Sequence, residues 1–458
     1  MGKLRFGCAM AAGKLTAFGL RLLGRNASYM PGLVALAVDP DFIGGLKKPE
    51  TLICVTGTNG KTTTSNFITS VLQSAGYAVT NNSFGSNVQA GVAAALLENS
   101  DFRGRHKNPY AVIEVDERSS LKVYPYMAPD YILCNNIMRD SLKRNAHTEF
   151  ISFIINSAVP EKTTVVLNAD DIICAGLAPQ CEKKVFFGVD AEIPEKTEGM
   201  KARDIVYCPK CGAPLAAEYL RYNHIGRWHC TACDFASPAR DYTVTAIDRE
   251  AVTFTVSHGG RERVFRLVND NIVNVFNFCG AIALLDTLGV SAEQIEAALQ
   301  KTELVKTRYD VSTAGSLRLT RILAKGQNPV AVSRVFAYTA KCPGDKKCLL
   351  LIIDDKEDNE RNVESTCWLY DLDYTPLTDP GIDRLIFAGK RCRDHVLRAV
   401  MSGVDPAKIV TTDEVKNCSD LVDLDTYSDV YLLFENYWLD EALAEERRLL
   451  ERGARHAN

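Results

Sequence analysis

The stretch Gly57-Thr58-Asn59-Gly60-Lys61-Thr62-Thr63 brings together residue types suited to holding a polyphosphate. Its glycines let backbone N–H groups turn inward around phosphate oxygens, and a following helix adds the positive end of its dipole. Lys61 is placed to reach terminal phosphates, and the Thr62 hydroxyl to take one position around Mg2+. Residues 51–55 read as a buried strand, and residues 64–73 carry Phe67, Ile68, Val71 and Leu72 on one helical face. The loop falls short of the full G-x-x-x-x-G-K-[ST] pattern, because Val55 stands at the first glycine position. A Gly/Asn turn with an incidental lysine is the competing reading, and the strand-loop-helix context weighs against it.

Residues 110–117, 131–136 and 163–170 read as further buried strands between helical stretches, the pattern of a parallel sheet. Each ends in oxygen-bearing side chains: Glu114, Asp116 and Glu117; Asn135 and Asn136; Asn168 and Asp170. In an open α/β sheet the C-terminal strand ends form the ligand crevice, so these tips should face the phosphate loop. Glu117 and Glu114 are the leading candidates to approach a metal ion, since Mg2+ sites combine carboxylate with phosphate oxygens. An acidic loop facing water is the plainer alternative.

Cys208-x-x-Cys211 and Cys230-x-x-Cys233 form a second chemical group, C-x2-C-x18-C-x2-C, with Gly212 after the first knuckle. Four thiolates at this spacing suit one tetrahedral Zn2+ and leave no position for a catalytic water, so the metal would be structural. A redox dithiol is the rival reading, and the paired knuckles argue against it. Arg221, Tyr222, Arg227 and Trp228 are too sparse for a nucleic-acid surface. Residues 241–256 resume an alternating strand, so the ribbon, about 204–240, reads as an insertion.

Asn274 and Asn277 lie three apart near a helix over 278–288 that Gly289 stops, and carboxamides so spaced can read a purine edge. Helix caps are their more ordinary use. Beyond a boundary near residues 306–309, residues 317–323, 349–353, 384–389 and 430–434 read as strands of a second, smaller α/β domain, followed by a charged helix over 439–455. The expected organisation is an N-terminal helical segment, 1–45, a central phosphate-loop domain, 46–306, and a C-terminal domain, 307–458.

Composition bounds the function. The chain has 458 residues, 46% of them hydrophobic, and a formal net charge of −4, which disfavours nucleic acid as a partner. Lys3, Arg5, Lys14 and Arg21 interrupt the first 23 residues, so no transmembrane segment or signal peptide is expected there. A short amphipathic helix that packs on the protein or touches a membrane surface fits them. Eleven of the fifteen cysteines are scattered through apolar runs, as small core residues are, and suit a reduced, cytoplasmic setting.

Together, Gly57-Thr58-Asn59-Gly60-Lys61-Thr62, Glu114-x-Asp116-Glu117, Asn136-Ile137-x-Arg139-Asp140, Leu167-Asn168-x-Asp170 and Asn274-x-x-Asn277 resemble the motifs of the Mur ligases. Within that family the chain looks like the MurT-type subunits of lipid II isoglutaminyl synthase. About fifty residues precede the loop, too few for the nucleotide-sugar-binding domain of the amino-acid-adding members. The inserted four-cysteine ribbon, Leu23-Gly24-Arg25 and Pro31-Gly32-x-Val34-Ala35-Leu36 also resemble the MurT type.

The resemblance implies that Mg-ATP phosphorylates the α-carboxylate of D-glutamate in the lipid II stem peptide. Ammonia from a GatD-type glutamine amidotransferase then displaces the acyl phosphate and leaves D-isoglutamine. It further implies a heterodimer at the inner face of the cell membrane. Carried over by motif, Gly57, Thr58, Asn59, Gly60, Lys61, Thr62, Thr63 and Asn136 form the nucleotide site, with Lys61 also stabilising the transferring phosphoryl group. Thr62 and Glu117 would hold Mg2+, Asn274 and Asn277 would contact adenine, and Arg308 would approach the phosphates, unless it is a linker ion pair.

Several positions depart from the family pattern. Asn136-Ile137-Met138-Arg139-Asp140 continues as Ser141-Leu142-Lys143-Arg144-Asn145-Ala146-His147, where the family has a further Asp and then Arg-x-Gly-Glu. The family's Gly-Arg-x-Glu is Thr307-Arg308-Tyr309-Asp310, and its Lys-Asn-Pro-x-Gly is Gln327-Asn328-Pro329-Val330-Ala331. The C-terminal Ala-Asp-Gly-x-Asp-x-Ser-Trp, which lends an aspartate to the partner's Cys–His pair, corresponds to residues 357–368. There Asp358 or Glu364 could orient a partner histidine. These changes keep open a divergent, non-catalytic ATP-binding paralogue with an assembly or regulatory role. A folylpolyglutamate-synthase-like ligase would share the same loop, but the four-cysteine ribbon and the short stretch before the loop argue against it.

Overall fold

The computed structural model describes residues 2–82, 86–140, 147–191, 204–268, 271–301, 309–324, 328–354 and 367–456. It falls into two compact units. The first holds the described residues up to Met138 and those from His147 to Lys301. The second holds Arg139, Asp140 and the described residues from Tyr309 onward.

In the first unit the strands are β1 (Thr51–Thr56), β2 (Val79–Asn81), β3 (Tyr110–Glu114), β4 (Tyr131–Cys134), β5 (Thr164–Asn168), β6 (Lys184–Val189), β7 (Leu215–Tyr222), β8 (Ile225–Cys230), β9 (Tyr242–Asp248), β10 (Thr253–His258) and β11 (Arg261–Arg266). Nine form one sheet in the order β11-β10-β9-β6-β5-β4-β1-β3-β2. From β2 to β9 every neighbouring pair is parallel, while β10 and β11 extend the sheet antiparallel. The chain runs outward from β1 to β2, returns to β3 beside β1, and then crosses to β4 on the other side. That reversal opens a crevice at the C-terminal end of β1, where the glycine-bearing loop begins.

Alternation along the strands builds two cores. Leu52, Cys54, Ala111, Ile113, Ile132 and Cys134 face a core shared with Ala9, Met10, Phe42, Val92 and Leu97. The helices Gly2–Leu22, Met30–Val38 and Gln89–Glu98 pack together there. Ile53, Val55 and Leu133 belong to the opposite face, where the helices Lys61–Ser74 and Ile272–Thr287 pack on the sheet, Phe67 meeting Phe278 edge-on at 5.0 Å. Cys54, Cys134, Cys174 and Cys279 are buried, as small core residues.

The β7–β8 hairpin is a separate two-stranded sheet. It leaves the chain between β6 and β9, two strands that pair directly, so it adds to the sheet without interrupting it. Residues 241–256, read as one strand, are a hairpin instead, because Val252 turns at φ +55°. The strand expected over 110–117 ends at Glu114. There Asp116 caps a turn of 3-10 helix, Glu117–Ser119, accepting the Arg118 N–H at 3.1 Å.

The second unit contains β12 (Tyr309–Ala314), β13 (Leu317–Leu323), β14 (Lys347–Ile352), β15 (Ile382–Ala388), β16 (Ile409–Thr412) and β17 (Asp429–Phe434), ordered β12-β13-β17-β14-β15-β16 and parallel except for β12. Along β14, Leu349 and Leu351 enter one core with Phe336, Trp368 and Tyr374. Cys348, Leu350 and Ile352 enter another with Ala442 and Leu449 of the helix Leu439–His456. Truncating a leucine such as Leu350 would cost about 2–5 kcal/mol. Among the described residues no helix is long and apolar enough to cross a membrane.

Candidate functional site

The loop after β1 owes its shape to two glycines with positive φ, Gly57 at +115° and Gly60 at +88°. A Cβ on Gly57 would lie 2.8 Å from the Asn136 carbonyl oxygen, and one on Gly60 would lie 2.1 Å from Asn277 Oδ1. Larger residues are therefore excluded by both conformation and space. The helix begins at Lys61, earlier than its apolar periodicity indicates, because Gly60 serves as a left-handed N-cap and accepts the Thr64 N–H at 3.0 Å.

Asn136 and Thr58 fix the far side of the loop. Asn59 N–H donates to Asn136 Oδ1 at 3.0 Å, and Asn136 Nδ2 returns a bond to the Asn59 carbonyl at 3.1 Å. Thr58 N–H donates to the Asn136 carbonyl at 2.9 Å, and the Thr58 hydroxyl accepts the Met138 N–H at 2.9 Å. The tip of β4 thus holds the loop from behind, leaving the helix start as its open side.

The carboxylates close in from β3. Lys61 Nζ donates to the Gly57 carbonyl at 2.5 Å and pairs with Glu117 Oε1 at 3.0 Å. The Thr62 hydroxyl donates to Glu114 Oε2 at 2.8 Å. Burial alone would lower the Lys61 pKa, but Glu117, Glu114 and Asp116 outweigh it and push the group up to about 12. The ammonium therefore stays charged at any physiological pH. Glu114 is itself held by Asn87 Nδ2 at 2.9 Å, and its backbone by both polar ends of the Asn82 side chain.

One hydroxyl and two carboxylates at the mouth of the loop make the oxygen-only donor set that suits a small hard cation. Asn277 Oδ1 and Asn135 Oδ1 are buried with no hydrogen-bond partner among the described residues, which leaves acceptors available beside the loop. The residues present fit a magnesium–polyphosphate ligand. Asn277 is buried, and its carboxamide lies against Gly60, with its Nδ2 donating to Asn274 Oδ1 at 3.5 Å. Thr63 occupies the first turn of that helix and is partly exposed.

A second layer is not visible in any local sequence pattern. Asp171 accepts the Ile137 N–H at 2.6 Å, just past Asn136, and caps the helix Ile172–Ala175. His224, in the turn of the β7–β8 hairpin, bridges Asp171 at 3.0 Å and Asp204 at 3.2 Å with both ring nitrogens. Burial works against its charge, but the two carboxylates prevail and raise its pKa to about 10. Gly226 N–H adds a bond to the Asp170 carbonyl at 2.7 Å, so the ribbon is fastened to the strand tips that brace the loop.

At the other end of the hairpin the Sγ atoms of Cys208, Cys211, Cys230 and Cys233 lie within 4.8 Å of one another. Cys208 and Cys233 are 3.6 Å apart, Cys211 and Cys230 3.4 Å. Sulfurs around a tetrahedral Zn2+ sit about 3.8 Å apart. Lys210 N–H and Ala232 N–H each donate to the first sulfur of a knuckle at 3.4 Å, and Ala232 holds the Cys230 thiol below its ordinary pKa. The donor set fits a closed, four-thiolate metal site.

Arg308, Asp358 and Glu364 lie outside the described residues, as do the divergent residues 141–146 and most of the segment 357–368. His147 is described and caps the helix Thr148–Ala158, accepting the Glu149 N–H at 3.4 Å. Asn328 caps the helix Pro329–Lys341 in the same way. Sequence reading missed Asn82, Asn87, Asp171, Asp204 and His224. Only the clustering of asparagines over residues 81–87 offered a signal for any of them.

Comparison with known proteins gives two family models: residues 55–211 match the Mur ligase middle domain, and residues 325–437 the MurT ligase C-terminal domain. The chain is 26% identical over 431 residues to the lipid II isoglutaminyl synthase (glutamine-hydrolyzing) subunit MurT of Staphylococcus aureus, covering 94% of each chain. It is also 26% identical to the corresponding subunit of Streptococcus pneumoniae, covering 93% of each. Among solved structures, a pseudomurein peptide ligase type C from Methanothermus fervidus superposes with a TM-score of 0.66 at 20% identity, over 90% of this chain and 81% of that one.

Proposed function

We propose that this chain, which belongs to the Mur ligase family and carries its MurT-type C-terminal domain, is the ATP-dependent ligase subunit of an enzyme that amidates a lipid-linked peptidoglycan precursor. The observation that carries the reading is the meeting of Lys61, Thr62, Glu114 and Glu117 at the mouth of the loop after β1. The likeness to MurT subunits along nearly the whole chain supports the choice of substrate.

The chemistry follows from what a carboxylate lacks. It resists nucleophiles until one of its oxygens becomes a good leaving group. An oxygen of the D-glutamate α-carboxylate attacks the terminal phosphorus of ATP, ADP leaves, and an acyl phosphate forms. Ammonia then attacks the carbonyl carbon, inorganic phosphate departs, and a proton is lost to give the amide.

Lys61 would hold the terminal phosphate and spread its developing charge, and Gly57–Thr63 would cradle the phosphates through their backbone. Thr62, Glu114 and Glu117 would hold Mg2+, which when bound neutralises phosphate charge. Asn136 shapes the loop, while Asn274 and Asn277 would contact adenine and Arg308 would approach the phosphates. The four cysteines would hold a structural Zn2+.

A GatD-type glutamine amidotransferase would supply ammonia, with Asp358 or Glu364 orienting its histidine. The heterodimer would work at the cytoplasmic face of the membrane, where lipid II is presented. The test is co-expression with such an amidotransferase, then incubation with ATP, glutamine and lipid II. ADP, phosphate and an amidated stem peptide are expected in equal amounts. Nucleotide binding without turnover would instead favour the non-catalytic paralogue.

A further inference from the structure

The helix Gly2–Leu22 is fixed to the first unit by one face, through the buried Ala9, Met10, Gly13 and Ala17. Phe6 stacks on Phe42 at a ring separation of 5.4 Å, and Arg5 Nε donates to the Val38 carbonyl at 2.7 Å. The opposite side carries Leu4, Cys8, Ala11, Leu15, Phe18 and Leu22, alternately four and three residues apart and so in a single line along the helix. All six are exposed; Leu4, Leu15, Phe18 and Leu22 expose 60–78% of their surface. An apolar stripe this long on a packed helix marks an interaction surface.

Charge identifies the partner. Residues 1–38 contain five Lys and Arg and no Asp or Glu, in a chain whose overall charge is −4. Arg21 pairs with Glu98 at 2.8 Å and Lys14 turns inward to the carbonyls of Leu97 and Ser100. Lys3, Arg5 and Arg25 remain exposed towards the two ends of the stripe. Beside the helix, Phe102 exposes 69% of its surface, with Lys14 Nζ 5.5 Å from its ring centroid. Arg103, Arg105 and Lys107 follow it and are also exposed. Exposed apolar side chains rimmed by cations fit neither water nor an acidic protein groove as well as an anionic bilayer, which offers hydrocarbon below a negative surface.

We infer that the helix Gly2–Leu22 and the Phe102 loop together form a docking surface for anionic lipid, seating the ligase flat on the membrane. The inference deepens the functional reading, on which it rests for its purpose, by naming the surface that brings the enzyme to a lipid-linked substrate. Its geometry is separate from the nucleotide site.

The test is co-sedimentation of the full chain with vesicles of phosphatidylcholine alone or with about 30% phosphatidylglycerol, without ATP or lipid II. Binding to the anionic vesicles is expected, weakening at high salt. The doubly substituted Leu15→Gln/Phe18→Gln should bind at least about tenfold more weakly, and Lys3→Gln/Arg103→Gln about tenfold more weakly. Both pairs are exposed, so their melting temperatures and nucleotide affinities should match the parent. Absence of binding to anionic vesicles overturns the inference, as does binding that neither substitution weakens. So does a dimer, detected by light scattering, that Leu15→Gln/Phe18→Gln converts to monomer, since a second copy would then cover the stripe. Failure of amidation with vesicle binding intact would count against the ligase reading alone.

Discussion

Lys61 Nζ lies 3.0 Å from Glu117 Oε1, and the two side chains expose only 11% and 1% of their surface. In the proposed function terminal phosphates and a metal ion would meet at this ion pair, so each group would exchange partners on loading: the ammonium towards phosphate, the carboxylate towards the cation. Removing the lysine alone strands a buried carboxylate, at a cost of about 3–5 kcal/mol. Lys61→Ala should therefore lose both nucleotide affinity and stability. The double substitution Lys61→Met/Glu117→Leu should recover most of the stability and none of the affinity. Urea unfolding and titration with a fluorescent ATP analogue separate the two effects, and equal recovery of both would refute this division of roles.

Gly60 gives a sharper steric test. Alanine at φ +88° is strained by about 1–3 kcal/mol, and its Cβ would overlap Asn277 Oδ1. Gly60→Ala should lower stability by about 2–3 kcal/mol and weaken nucleotide binding at least tenfold. Adding Asn277→Ala removes the overlap but not the backbone strain, so stability should return only in part. Full recovery in the double variant would show that the left-handed conformation is not required.

Two buried histidines set opposite pH limits. His224, raised to about 10 by its carboxylate partners, stabilises the first unit fully below an unfolded pKa of about 6.5. That contribution, of the order of a few kcal/mol, is lost as pH rises through 10. His395 of the second unit has its pKa pushed down to about 3 by burial, with the Tyr374 hydroxyl 2.7 Å from its Nδ1. Its contribution is present above about pH 6.5 and is lost as pH falls towards 3. Stability measured from pH 4 to 10 should peak near neutrality. His224→Gln should flatten the alkaline limb and His395→Gln the acid one; a substitution that alters the other limb would contradict the assignment.

The parts of this molecule that could be read from the chain are those whose cause is local. The loop between β1 and its helix announces itself because glycine conformation, strand burial and helix periodicity all lie within twenty-odd residues. β14 and β17 could be placed from their unbroken apolar runs, as buried parallel strands require. Glu117 and Glu114 stood out as acids at the end of a buried run, although only the structure shows that Lys61 takes one and Thr62 the other. The hydrogen bonds that hold these groups were hidden because they join distant residues: Asn82 reaches Glu114 across 32 positions, and His224 reaches Asp171 across 53. Such partners are found by packing the sheet, not by spacing. The same holds for Asn277, whose closeness to Gly60 depends on how two helices cross.

The ribbon should transmit its state to the nucleotide loop through a short and specific path. Its four thiols gather at one end, while its turn inserts His224 between Asp204 and Asp171, and Asp171 holds the Ile137 N–H beside the Asn136 brace. Four-thiolate zinc supplies folding energy to small hairpins that have little core of their own. Stripping the metal with a chelator, or substituting Cys211→Ser, should therefore loosen β7 and β8 first and then free Asp171 from its histidine. Hydrogen exchange should rise at Leu215–Tyr222 and Ile225–Cys230, and to a smaller extent at Ile137, with protection of Leu349–Leu351 in the second unit unchanged. Nucleotide affinity should fall severalfold, and restoring Zn2+ should reverse the effect for the parent chain but not for Cys211→Ser. Faster exchange throughout the first unit on metal removal would mean that the ribbon supports the whole fold, whereas unaltered exchange at Ile137 would break the proposed path at His224.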